Sequence, residues 1–371
     1  MDKRVVFLCG ARDFHAMDWY KSAKELMPDV ESYIVTDLIA GEGFKKIVNE
    51  KDKVYKLLIL DFFLFKNQSA LGDKWRNFLK LIVLPLQILL LKRFAKKYPG
   101  LIYHAHSMYY LVLARAANVN YIGTPQGSDI LIKPKRSIFF KYFSIYGLMK
   151  AKHVTVDSKN MQQGVFNLTG RHASIIQNGI DLDAINFFAK NSEGCNDMIS
   201  CLRTEILSIR GFTPLYRIKD ILIARNRIDN EVPITFIYPF YEFNYKAQCS
   251  GLLYTNDIDL GKVHRSTMYG ILYKSKLVIS IPSSDSSPRS VYEAIFCGSA
   301  VAITYNSYYE LLPYCMKSRI IIVDINNENW FADAIYKAEL INKKPYIPSD
   351  LAKEMFNQKE SFKKLQELLF G

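Results

Sequence analysis

The chain predicts an α/β protein built from two doubly wound, parallel-sheet domains. Three observations carry that expectation. Lys276-Leu-Val-Ile-Ser-Ile281 is a short β-branched run, as in a buried strand, and Ala300-Val-Ala-Ile303 is a second. Between them lie a loop and a helical stretch, and such a strand–helix–strand unit crosses over right-handed onto a parallel sheet. A similar strand–Gly–helix start runs from Arg4 through Cys9 and Gly10 to Leu26. Finally, 371 residues exceed one typical core, so two domains are expected.

The unit at 276–304 is locally punctuated. Ser287 can cap its helix, Pro288 then stands at the first helical position, and Gly298 follows the helix end where a left-handed residue is needed. The loop and the helix N-terminus fall at the carboxyl edge of the sheet, where open α/β sheets bind ligands. Backbone N–H groups at Ser290 and Val291 would point outward and suit a diphosphate, beside Ser287 and Arg289. Asp285 in the loop and Glu293 on the helix could accept hydrogen bonds from hydroxyls. Equally, they are acids placed for the helix dipole.

The order of these residues – loop, Asp285, seven residues, Glu293-Ala294, then Gly298 – resembles the nucleotide-sugar motif of retaining GT-B glycosyltransferases of family GT4. That family usually carries Glu where Asp285 stands. The resemblance implies the GT-B fold: two Rossmann-like doubly wound domains facing across a cleft, with a C-terminal helix crossing back. It implies that Glu293 holds the donor ribose. Glu310, in Ser307-Tyr-Tyr-Glu310, is similar to a further family Glu.

Other segments resemble the same family. Gly127-Ser128-Asp129 is similar to its Gly-Ser-Asp loop near the transferring sugar, with Gln126 in place of the common His. Gly10 belongs to a glycine loop on the acceptor side, and His15 and Trp19 fall at its His–Trp positions. His106, in His104-Ala-His106, would line the cleft. Arg210 matches the arginine that neutralises the donor diphosphate. The partner lysine position falls near Tyr216, so Arg217 or Lys219 would substitute. Asp285, Asp129 and Gln126 are thus expected at the reacting sugar, with no catalytic nucleophile visible.

No metal or cofactor is expected. The first strand–Gly–helix lacks G-x-G-x-x-G, which gives no support for a nicotinamide. His104 and His106, read as pointing to opposite faces of a strand end, make a poor pair without a third ligand. Asp181-Leu-Asp183 and Asp257-Ile-Asp259 have D-x-D spacing in unconvincing settings.

Charge sets the partners. Lys and Arg number 49 against 36 acids, net +13, which implies polyanionic surfaces or phosphate-bearing substrates. The six cysteines show no CxxC and read as reduced and buried, and no signal peptide precedes the first strand, so a cytoplasmic chain is expected. Leu79–Leu91 is apolar but too short to span a bilayer. With Trp75 and Arg76 before it, Lys80 at its start and Lys92–Lys97 after it, it reads either as an interfacial helix or as a helix packed on a sheet. The aromatic helix Ile138–Tyr146, set among Lys133, Lys135, Arg136, Lys141, Lys150 and Lys152, carries the same two readings.

Further strands are expected at Tyr33–Val35, Lys56–Leu60, Leu101–Tyr103, His153–Val156 and Ser174–Ile176. Asn178-Gly-Ile-Asp181 resembles the family segment closing the first domain. The expected division is 1–188, a polar linker 189–197, a nucleotide-sugar domain 198–348 opening with a strand at Met198–Leu202, and a terminal helix 349–371. Strands are also expected at Ile234–Tyr238 and Arg319–Val323.

The reading is a glycosyltransferase moving a sugar from a nucleotide donor, with retention, to a lipid-linked or growing polysaccharide acceptor in bacterial O-antigen or capsule synthesis. The expected setting is the cytoplasm, peripheral at the inner face of the membrane. The rivals are a basic nucleic-acid-binding protein, which charge alone allows, and an inactive GT-B scaffold, to which Asp285 and Gln126 lend weight.

Overall fold

Strand β1 (Arg4–Cys9) lies at the centre of the first sheet. Its side chains alternate between two cores, as period two requires. Val5, Phe7 and Cys9 join a cluster with Trp19 and Tyr20 on one face, while Val6 and Leu8 join Tyr103 and Leu111 on the other. A strand covered on both faces reads as an unbroken apolar run, which is what Val5-Val6-Phe7-Leu8 is. The computed structural model describes residues 3–11, 13–37, 48–57, 70–191, 206–228, 231–285 and 287–371.

The first sheet also holds β2 (Glu31–Thr36), β3 (Lys53–Lys56), β4 (Ile102–His106) and β5 (Tyr121–Thr124), in the order β3-β2-β1-β4-β5, with every pair parallel. The expected strand at Lys56–Leu60 is represented by β3; Leu58–Leu60 lie outside the described residues. Thr155–Val156 (β6) and Ser174–Ile175 (β7) do not extend this sheet. They pair with each other, and a single bridge, Gly123 to Val154, ties them to β5. Two-residue strands are too short to present another full edge.

The second sheet comprises β8 (Ile206–Ser208), β9 (Thr235–Ile237), β10 (Ile258–Gly261), β11 (Leu277–Ser280), β12 (Ala300–Ile303) and β13 (Ile320–Ile322). Its order is β10-β9-β8-β11-β12-β13, again all parallel. Leu207, Val278 and Val301 face one core; Ile206, Leu277, Ile279 and Ala300 face the other. In both sheets the chain first winds outward in one direction, then crosses back. The switch points fall between β1 and β4, and between β8 and β11.

Contacts divide the chain into one unit of Met1–Gln177 with Ser361–Gly371, and a second of Asn178–Glu360. The expected linker begins as helix: residues 189–191 end the helix Leu182–Asn191, and 192–205, with the expected strand at Met198–Leu202, lie outside the described residues. The Asn178–Asp181 segment belongs to the second unit. Ile180 donates to the Phe356 carbonyl at 2.7 Å and accepts from Gln358 N–H at 2.9 Å. This pairing breaks the expected terminal helix into two, Asp350–Phe356 and Gln358–Phe370. The second buries Phe362, Leu365 and Leu369 in the first unit.

Gly298 has φ +87° just past the helix Arg289–Phe296. A Cβ there meets no atom within 4 Å, so the cost of a side chain is the backbone's alone. Gly298→Ala is expected to destabilise by about 1–2 kcal/mol, read as a lowered urea midpoint at unchanged slope.

Candidate functional site

The carboxyl ends of β8, β11 and β12 are neighbours, and each sends one polar residue to a common point. Arg210 follows β8, Asp285 follows β11, and Asn306 follows β12. Arg210 Nη2 lies 2.5 Å from Asp285 Oδ2, and Arg210 Nε donates to Ser280 Oγ at 2.8 Å. The guanidinium stands 5.3 Å from the centre of the Tyr216 ring. Asn306 Oδ1 accepts from Asp285 N–H at 2.9 Å. Two contacts on different edges of the fork, plus a ring, fix the arginine's plane before any ligand arrives. Tyr308 is fully buried nearby; burial and then the charge of Asp285 push its phenol well above 10.

The helix Arg289–Phe296 starts one residue later than expected, with Pro288 as its N-cap. Pro288 is extended, and its carbonyl accepts from Val291 N–H at 3.0 Å and Tyr292 N–H at 3.3 Å. The Val291 N–H is therefore committed inside the first turn rather than turned outward. Glu293 is 3% exposed. Its Oε1 accepts from Tyr269 OH at 3.1 Å, with Arg289 Nε at 3.7 Å and Arg265 Nε at 3.8 Å. A buried carboxylate needs such partners. Arg217 is half-buried in a left-handed conformation, φ +54°, and Lys219 is exposed with its N–H on Tyr245 OH. The D-x-D acids serve local structure: Asp181 accepts from Ala184 N–H, Asp257 pairs with Arg225, and Asp259 with Lys246.

The first unit has its own cavity, of about 480 Å³, at the switch point of its sheet. Gly10 follows β1, Ser107 follows β4, and Gln126 follows β5; all three line it. Gln126 Nε2 donates to Asp13 Oδ2 at 2.8 Å, and Asp13 Oδ1 accepts from the N–H groups of His15 and Ala16. His15 is exposed and lines the cavity. Gly127 and Ser128 are not an open loop but begin the short helix Gly127–Leu131. Asp129 is 4% exposed, and its carboxylate is taken up by Met108 N–H at 2.9 Å, Gln126 N–H at 3.2 Å and Lys133 Nζ at 2.7 Å. It clamps the loop.

Below these residues lies a buried network. Lys80 Nζ sits 2.8 Å from Asp37 Oδ2 and 3.0 Å from Tyr110 OH, against the faces of Tyr109 and Tyr110. A Cβ on Gly10 would stand 2.9 Å from that Tyr110 oxygen, so the close approach requires glycine.

His106 and Trp19 do not reach the cavity. Residues two apart on a strand share a face, so the opposite-face reading of His104 and His106 does not hold. Their ring centres are 4.1 Å apart, packed between Phe7 and Trp19. Trp19 and His106 are core residues, 7% and 4% exposed. Burial holds the His104 pKa down to about 3 and that of His106 well below 6.5, where His104 and His15 add repulsion. An unfolded histidine takes a proton near 6.5 while these do not. The unfolded state then binds more protons as pH falls, and stability declines below about pH 6.5, by roughly 1.4 kcal/mol per unit and histidine. Melting curves between pH 7 and 5 are expected to show this slope, flattened in His106→Leu.

By sequence, no family model and no curated protein matches the chain. By structure, solved proteins match over nearly its whole length. HepE of Anabaena, in complex with UDP, aligns at 16% identity over 99% of both chains with a TM-score of 0.69. A glycosyltransferase from Rickettsia africae aligns at 15% identity over 99% and 98%, with 0.72. Sucrose-phosphate synthase from Thermosynechococcus elongatus aligns at 10% identity over 99% and 98%, with 0.70. The chain has the GT-B fold.

Within that GT-B fold, both clusters of polar side chains sit at the carboxyl edges of parallel strands, beside the switch points. The structure joins Arg210 to Asp285, and Gln126 to Asp13. Sequence reasoning missed Tyr269 and Arg265 beside Glu293, and Asp37 with Tyr110 beside Lys80. One signal for the latter was present: a lone Lys80 inside Phe78-Leu-Lys-Leu-Ile82 needs a buried partner.

Proposed function

We propose that the chain is a glycosyltransferase that takes a sugar from a nucleotide donor held in the second unit and passes it to an acceptor held by the cavity of the first. The observation that carries this reading is the pre-set Arg210, fixed by Ser280 and Asp285 at the switch point of the second sheet. A guanidinium there suits the diphosphate as it becomes the leaving group, and fixed positive charge aimed at developing charge is a large catalytic effect. Ser287, Arg289 and Ser290 complete the phosphate side, with Arg217 or Lys219 as further cations. Glu293, held by Tyr269, Arg265 and Arg289, accepts the ribose hydroxyls. Asp285 orients the sugar from its place against Arg210.

On the acceptor side, Gly10, His15 and Gln126 face the bound sugar, with the turn Gly127–Asp129 keeping Gln126 in place. By the family likeness the anomeric configuration is retained. The acceptor class is a lipid-linked or growing surface polysaccharide of the O-antigen or capsule type, worked on at the inner face of the membrane. The likeness to HepE, which was solved with UDP, supports the donor class, and the likeness to the Rickettsia glycosyltransferase supports the reaction class.

The test is transfer itself. Labelled UDP-, GDP-, CMP- and dTDP-sugars are incubated with the protein and bacterial lipid extract. Label is expected to move to the organic phase from one donor, with the donor's anomeric configuration kept in the product. Release of free sugar alone, or no turnover of any donor, contradicts the reading.

A further inference from the structure

The long helix Ala70–Lys97 has one face on the core, through Leu84, Ile88 and Leu91. A helix that buries one face normally turns charge to water on the other. This one does not. Trp75, Phe78, Ile82, Leu86 and Leu89 recur every three or four residues, and all are 39–59% exposed. The aromatic helix Ile138–Met149 does the same with Ile138, Phe139 and Tyr142, 73%, 56% and 66% exposed. Both helices line the cavity, with Arg76 and Leu81 from the first, and Phe139, Phe140 and Phe143 from the second.

Two stretches beside these faces carry only basic charge. Between Lys133 and Lys152 stand six Lys and Arg and no acid, and Lys92, Arg93, Lys96 and Lys97 close the long helix. Apolar side chains in a continuous stripe mark a partner surface. Aliphatic residues ringed by Lys and Arg fit a bilayer interface, where the hydrocarbon takes the stripe and lipid phosphates take the cations. A nucleic acid would leave Ile82, Leu86 and Leu89 in water.

We infer that the face formed by the helices Ala70–Lys97 and Ile138–Met149 docks on an anionic membrane leaflet, so that an amphiphilic acceptor enters the cavity from the bilayer. The cavity suits such a molecule. Polar Gln126, Asp13 and Lys80 line it together with apolar Leu81, Phe139, Phe140 and Phe143. The entry route rests on the proposed glycosyltransferase reading; the docking face does not.

Trp75 reports on it. Of three tryptophans, Trp19 and Trp330 are 7% and 3% exposed, and Trp75 39%. Phosphatidylglycerol vesicles are expected to shift Trp75 emission to the blue and, with brominated acyl chains, to quench it. Phosphatidylcholine vesicles should bind at least tenfold more weakly. Phe78→Gln/Ile82→Gln/Leu89→Gln is expected to lose binding by more than tenfold. Lys135→Gln/Arg136→Gln/Lys141→Gln should lose about fivefold per charge and flatten the salt dependence. Both variants should keep the melting shift given by donor nucleotide. No vesicle binding by folded protein, binding without quenching, equal affinity for both lipids, or loss of self-association in place of vesicle binding would each overturn the inference. Displacement from vesicles by duplex DNA, with Trp75 unquenched, would favour nucleic acid instead. A retained nucleotide shift with no docking leaves the enzyme reading standing; docking without any nucleotide shift does the reverse.

Discussion

Arg210→Ala is expected to lower kcat/KM for sugar transfer by about a hundred- to a thousandfold, the cost of removing one preorganised charge from a leaving group. The loss should fall mainly on kcat, because the diphosphate gains charge as the bond to the sugar breaks. Arg210→Lys is not expected to restore it. One ammonium cannot at once meet Ser280 Oγ, Asp285 Oδ2 and the Tyr216 face as the guanidinium does. Steady-state kinetics with the cognate donor decide it. A variant within about threefold of the wild type would remove Arg210 from the mechanism.

A larger effect on stability belongs to another arginine. Arg225 is fully buried. Nη1 and Nη2 donate to the two oxygens of Asp257 at 2.8 and 3.0 Å; further bonds reach the carbonyls of Val232 and Leu252 and the side chain of Asn226. The guanidinium carbon lies 3.5 Å from the centre of the Tyr254 ring. Asp257 also accepts from the N–H groups of Ile234 and Tyr254. Arg225→Ala strands a buried carboxylate and two carbonyls, and should cost about 3–5 kcal/mol. For a unit of this size that is a fall of roughly 10 °C in Tm. Replacing Arg225 and Asp257 together by apolar residues should not rescue it, since the two N–H groups lose their acceptor. A change under 2 °C in a calorimetric scan would show the network to be dispensable.

The parts of this molecule that the sequence made legible are those set by neighbours along the chain. The strand–helix–strand at 276–304 is punctuated by Pro288 and Gly298, and the structure differs there in starting the helix at Arg289 rather than Pro288 and in turning the Val291 N–H inward. A one-residue shift was invisible because both Ser287 and Pro288 can precede a first turn. What could not be read were pairings over distance. Lys80 finds Asp37 and Tyr110, 43 and 30 positions away, and local sequence shows only a charge in an apolar run. The helix break at Asn357 is caused by Ile180, which binds on either side of it. The histidine pair was misread for another reason: the two-residue period of a strand puts His104 and His106 on one face, against Phe7 and Trp19.

Glu293 tests the central claim most directly. Thermal unfolding of the wild type is followed with UDP, GDP, CMP and dTDP, beside Glu293→Gln, which keeps the size of the buried side chain. At about a hundred times its dissociation constant, the cognate nucleotide should stabilise by roughly 2.7 kcal/mol. Glu293→Gln should lose most of that shift, because its amide gives the ribose hydroxyls only one acceptor oxygen. If one nucleotide acts on the wild type and not on the variant, the second unit is a nucleotide-sugar site centred on Glu293. If no nucleotide moves the melt of the folded protein, or if the variant shifts as the wild type does, the account is contradicted.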